Sequence, residues 1–156
     1  MSALALDPGV GATAFAYWED VTNGFAPDSA GEIKAGTGSW LTRCQRLVGR
    51  LEAVVTELHP THMVVEYPAY FQSPGGQLTA SSGDLVKLAV LTGMLLEVGR
   101  VAGCTCVLVE VRQWKGQLPK DVTQKRLERV VGEHPEWSHH IYDAVGIGLY
   151  HLGCRL

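Results

Sequence analysis

Ala3-Leu4-Ala5-Leu6-Asp7-Pro8-Gly9-Val10-Gly11 runs from apolar residues into an acid, then into Pro and Gly. The apolar residues read as a buried strand, and Pro8-Gly9 turns the chain directly after it. Ala12 to Trp18 (Ala-Thr-Ala-Phe-Ala-Tyr-Trp) reads as a second strand, so the two are expected to form a hairpin. An aspartate at the end of a buried strand is poorly solvated and requires a cation, a proton or a backbone N–H. Two readings stand at this point. Asp7 caps the turn, as Asp does before Gly, or it belongs to a metal site, which requires further acids aimed at the same place.

The rest of the chain supplies them. Trp40 to Leu58 repeats apolar residues at helical spacing behind a plausible N-cap, Ser39, with Arg43, Arg46 and Arg50 on the opposite, solvent-facing side. His59-Pro60 ends that helix. Thr61 to Tyr67 is then a short β-rich run that delivers a second strand-end acid, Glu66, just before Pro68. If the strands of Asp7 and Glu66 are parallel neighbours, the two carboxylates repel unless a cation lies between them. Asp20 to Gly38 reads as turn, weak third strand (about Gly31 to Ala35) and loop. Pro68 to Gly83 reads as a loop carrying Tyr70 and Phe71, aromatics suited to stacking on bases.

A helix from about Asp84 to Ala102, capped by Ser81 or Ser82, is apolar nearly all round. Such a helix is either central or covered by a second copy of the protein, and a homodimer is expected. Cys104 to Val111 is a further apolar strand, followed by a loop to Pro119 and a short helix from about Asp121 to Val131. Ser138-His139-His140 opens the last helix, in which His140 and Asp143 share a face. Ala144, Gly146 and Gly148 are small enough to let that helix lie close against a sheet.

Composition narrows the classes. The 156 residues fit one domain, 1–156, with 46% hydrophobic and 19% charged residues, as in an ordinary globular protein. No apolar run approaches the ~20 residues of a membrane span, and no basic region precedes the short apolar start, so a cytoplasmic protein is expected. Cys44, Cys104, Cys106 and Cys154 lack metal-ligand spacing and read as reduced core fillers. The net charge of −3 does not advertise a nucleic-acid binder. Yet residues 112–129 hold six basic and two acidic residues, a net +4 that leaves −7 for the remainder. A basic strip on an acidic protein fits either a phosphate backbone or a solvated face.

The order of these features resembles the RuvC family of Holliday junction resolvases, a branch of the RNase H-like nucleases. The residues that carry the resemblance are Asp7-Pro8-Gly9 after an apolar strand, Val65-Glu66, Asp143-Ala144 near the end, and Arg112-Gln113-Trp114-Lys115 with Lys125 downstream. It spans nearly the whole chain; each motif is short, and their order and spacing are what is specific. The compact, acidic chain resembles phage-encoded members.

The resemblance implies an α/β RNase H-like fold with a five-stranded mixed sheet flanked by helices. The first three strands would be antiparallel, the later two parallel to the first. It implies two Mg²⁺ or Mn²⁺ ions per active site, bridged by Asp7 and completed by Glu66, His140 and Asp143, that activate water and stabilise the leaving oxygen. Lys115 and Lys125 would be the catalytic, phosphate-binding lysines. Branched DNA would be the substrate, contacted by Arg112, Lys115, Lys120, Lys125 and Arg126, with Phe71 or Tyr70 as a wedge at the crossover. His140 departs from the commoner Asp and, as a softer ligand, favours Mn²⁺. Phe71 also lies further from Glu66 than the family pattern has it.

Other readings of the same residues are an RNase H-like nuclease on other branched DNA or RNA–DNA hybrids, and an inactive DNA-binding relative. An actin-like ATP-binding fold also opens on a strand-Asp-Gly turn, but it needs a second phosphate loop and an adenosine motif that the sequence does not show.

Overall fold

The computed structural model describes residues 1–22, 24–68 and 83–154. Among the described residues five strands and five helices follow in the order β1 (Ala3–Asp7), β2 (Ala12–Trp18), β3 (Ser29–Lys34), α1 (Trp40–Leu58), β4 (His62–Tyr67), α2 (Asp84–Val101), β5 (Thr105–Glu110), α3 (Val111–Trp114), α4 (Lys120–Val131) and α5 (His139–His151). The sheet order is β3-β2-β1-β4-β5. β1, β2 and β3 are antiparallel neighbours, whereas β4 and β5 run parallel to β1. This is the mixed sheet expected above.

Side chains alternate across a strand, and the two faces of this sheet bury different residues. Leu4, Leu6, Met63 and Val65 point to one face and pack with Leu47, Leu51, Leu91 and Leu95 of α1 and α2. Ala5, Ala14, Ala16, Trp18, Val64 and Val109 point to the other, where α5 lies. The small residues of α5 admit close contact. A Cβ on Gly148 would lie 2.3 Å from the Trp18 ring, and one on Gly146 would lie 2.3 Å from the Trp114 ring. Eight consecutive or near-consecutive positions from Ile141 to Leu149 are buried.

Helix boundaries follow local chemistry. Ser39 Oγ accepts the Thr42 N–H at 3.2 Å at the start of α1, and His59 closes α1 in the left-handed conformation, φ 47°. Three expectations change. α2 opens from Gly83; Ser81 and Ser82, like Tyr70 and Phe71, lie outside the described residues. Arg46 and Arg50 are not a free solvent stripe: they donate to the backbone carbonyls of Thr37 and Lys34, fastening the end of β3 and the loop beyond it to α1. And the segment after β5, expected as a loop, begins with a one-turn helix, α3, because Glu110 and Gln113 form a reciprocal capping box. No described helix is long and apolar enough to cross a membrane.

Candidate active site

Asp7 and Glu66 each sit one residue past the last registered β1–β4 pair, Leu6 with Val65. By strand alternation both acids face the same side as Ala5 and Val64, the side covered by α5. The hairpin keeps Asp7 paired with Ala14, so its backbone cannot swing away.

α5 brings the other two residues. Its N-cap, Ser138, accepts the Ile141 N–H at 3.4 Å and donates to the Glu32 carboxylate of β3, tying the helix start to the sheet. His140 Nδ1–H then donates to Asp7 Oδ2 at 2.8 Å. Asp143, three residues on, faces the same point, and one ligand atom from each of Asp7, His140 and Asp143 lies within 4.8 Å of the others. His139 stands beside the His140 ring at 4.1 Å between centroids; the histidine on Asp7 is His140.

Glu66 stands outside that tight group but within its field. Burial first, then repulsion from Asp7 and Asp143, pushes its carboxyl up to about 7, against a lowering by the Trp114 hydrogen bond and the Lys115 charge. Burial also raises Asp143, again opposed by Lys115 and helped by Asp7. His140 is raised, chiefly by its hydrogen bond to Asp7. Carboxylates crowded until one holds its proton near neutrality are short of positive charge. That donor set, three hard carboxylates and one imidazole, fits a hard or borderline divalent cation.

Two further elements converge here. α3 presents Trp114, whose Nε1–H donates to Glu66 Oε2 at 3.0 Å. Directly after it, Lys115 Nζ pairs with Asp143 Oδ1 at 3.4 Å, both side chains largely buried. Lys120, first residue of α4, is close enough for its charge to act on His139, His140 and Asp143. Lys125 and Arg126 are exposed on α4. Arg112 is exposed as well. The sequence reading placed Lys125 in the site and Lys120 on the DNA-binding surface; the charge of Lys120 also reaches His140 and Asp143. Trp114 had no sequence signal as a partner of Glu66.

No protein-family model and no curated protein matches the chain. Solved structures do. T. thermophilus RuvC in complex with a Holliday junction substrate superposes with a TM-score of 0.76 at 19% identity, over 97% of this chain and 92% of that one. A second Thermus thermophilus RuvC structure gives 0.68 at 17%, covering 97% and 93%. Fowlpox virus resolvase, in complex with substrate Holliday junction DNA, gives 0.60 at 11%, covering 98% and 97%. At these identities the likeness establishes the fold: the chain has the RNase H-like fold of those resolvases along nearly its whole length.

Proposed function

We propose that this chain, acting as one nuclease domain over residues 1–156, is a structure-selective endonuclease that cuts four-way DNA junctions by metal-dependent hydrolysis. The observation that carries the proposal is the convergence of Asp7, His140 and Asp143 within 4.8 Å, with Glu66 beside them, on the fold of the resolvases. Asp7, Glu66, His140 and Asp143 would hold two Mg²⁺ or Mn²⁺ ions, which when bound activate water and neutralise the scissile phosphate. The imidazole of His140 favours Mn²⁺, so faster cleavage in Mn²⁺ than in Mg²⁺ is expected.

The protein's own groups do the rest. Lys115, held against Asp143 by a 3.4 Å ion pair, would bind a phosphate oxygen of the substrate. Lys120 adds a second cation where charge develops in the transition state. Arg112, Lys125 and Arg126 are exposed and would contact phosphates along the strands. A wedge by Phe71 or Tyr70 remains part of the proposal.

A second copy is proposed to cover α2, so that two sites address opposite strands of a symmetric junction. α2 exposes Val86 and Val90 beside Ala89 and Gly93, with Val101 beyond the exposed Glu97–Arg100 ion pair.

The test is a four-way junction with fixed arms, incubated with protein and Mn²⁺ beside the Asp7→Asn variant. Paired symmetric nicks, reduced at least about 1,000-fold in the variant, are expected. Equal cleavage of linear duplex or of an RNA–DNA hybrid would contradict the assignment. Within the same assay Lys120→Ala is expected to slow the step at saturating DNA by about 100-fold. Lys125→Ala should weaken binding alone and lower its salt dependence by about one unit of slope.

A further inference from the structure

The one-turn helix α3 touches two carboxylates of the site with two chemically different groups. Lys115 gives Asp143 a cation, and Trp114 gives Glu66 a neutral N–H. We propose that Trp114 is a positioning residue for Glu66: its indole N–H fixes the carboxylate in a metal-ready orientation while leaving its negative charge intact. This inference rests on the metal-site reading above.

Four features support it. The donor is well placed, at 3.0 Å from Oε2, and the ring is 6% exposed, so water does not compete for the carboxylate there. The ring also cannot turn aside. It lies on Gly146 so closely that a Cβ would fall 2.3 Å from Cζ3 and 2.7 Å from Cε3. Gly146 is three residues beyond Asp143, so the helix that carries two of the proposed ligands is the seat of the group that aims a third.

The turn itself is fastened at its start, where Gln113 Oε1 accepts the Glu110 N–H at 2.7 Å and the Glu110 side chain caps the other end of the box. Finally, the choice of donor has a chemical logic. Glu66 faces the like charges of Asp7 and Asp143 and, left alone, would rotate away from them. A guanidinium or ammonium would hold it but would compensate the charge that a cation needs. An indole N–H orients the carboxylate as metal-site outer partners do and carries no net charge.

The test measures metal uptake without DNA. Free Mn²⁺ is followed by electron paramagnetic resonance during titration of the native protein and of two altered forms. One is Trp114→Phe. The other carries 3-benzothienylalanine at position 114, which keeps the bicyclic ring and puts sulfur where the N–H was. Both altered forms are expected to bind Mn²⁺ about 10-fold more weakly, with the near-UV circular dichroism of the benzothienyl form showing the native fold. The Mn²⁺ concentration for half-maximal nicking should rise by the same factor, and junction affinity in metal-free buffer should not change. Native-like Mn²⁺ binding by the benzothienyl form would overturn the proposal, whether or not Trp114→Phe is weakened, because ring packing would then be the whole role. Failure of the native protein to take up Mn²⁺ would instead overturn the metal-site reading on which this rests.

Discussion

The two faces of the sheet bury large side chains alike but differ at the centre, where β1 turns Leu4 and Leu6 to one side and Ala5 to the other. On the α1 and α2 side, Leu4, Leu6, Met63 and Val65 meet Leu47, Leu51, Leu91 and Leu95. On the α5 side, Ala5, Ala14 and Ala16 meet Ala144, Gly146 and Gly148, with Trp18 and Trp114 filling the gaps between them. Large aliphatic side chains bury the most area and can repack around small displacements, so the first face is where stability accumulates. Small residues bring backbones together and leave little slack, so the second face is where position is set. The acids lie on the second face, at the strand ends, where α5 can present His140 and Asp143 at a fixed distance.

Damage to the first face should therefore cost stability and spare the site. Leu51 is fully buried between α1 and the sheet, and Leu51→Ala is expected to cost about 2–5 kcal/mol. Urea unfolding would measure that loss, while Mn²⁺ affinity of the remaining folded protein should be unchanged. A large loss of metal affinity would show that the two faces are not separable.

The site face has its own stability signature, which depends on pH. Glu66 is raised to about 7 in the folded metal-free protein, mainly by burial and by Asp7. A carboxyl raised on folding stabilises fully below its unfolded value, and that contribution is lost as pH rises through the folded value. At about 1.4 kcal/mol per unit, Glu66 accounts for at most about 3 kcal/mol between pH 4.5 and 7. His140, raised by its bond to Asp7, and Asp143, raised chiefly by burial, act with the same sign. The melting temperature of the metal-free protein should fall from pH 5 to pH 8, Glu66→Gln should flatten much of that fall, and Mn²⁺ should restore stability at the upper end. A melting temperature that is flat or rising without metal would contradict the crowded-carboxylate account.

The mildest change sharpens the contrast most. Gly148→Ala adds one methyl group, yet a Cβ there meets the Trp18 ring at 2.3 Å and Ala5 at 3.1 Å. Overpacking of this kind costs about 1–3 kcal/mol. Because α5 must move to relieve it, Mn²⁺ affinity should fall too, a double effect that Leu51→Ala should not have.

What the sequence shows of this arrangement, and what it hides, divides along physical lines. Strand ends and helix starts are local, so Asp7 before Pro-Gly, Glu66 before Pro68, Ser138 ahead of His140, and His59-Pro60 closing α1 were all readable. The small-residue run at 144–148 announced the close packing of α5 that the Trp18 and Trp114 rings now display. Contacts between distant segments are not local. Charge spacing alone does not show that the charge of Lys120, at the start of α4, reaches His140 and Asp143. α3 is four residues long, too short for periodicity, although the Glu110-x-x-Gln113 capping pattern marks it. The pairing of the Trp114 indole with Glu66, 48 residues away in the chain, has no sequence signature. The arginines of α1 looked like a solvated face because their acceptors are backbone carbonyls, which composition does not reveal.

The central claim is that Asp7, Glu66, His140 and Asp143 together form a divalent metal site. Anomalous diffraction at the manganese edge, from crystals soaked in Mn²⁺ at pH 8, tests it most directly. The account predicts two peaks that share the Asp7 carboxylate, with Glu66, His140 and Asp143 completing their coordination. Strong manganese peaks elsewhere, with none in contact with Asp7, would contradict it.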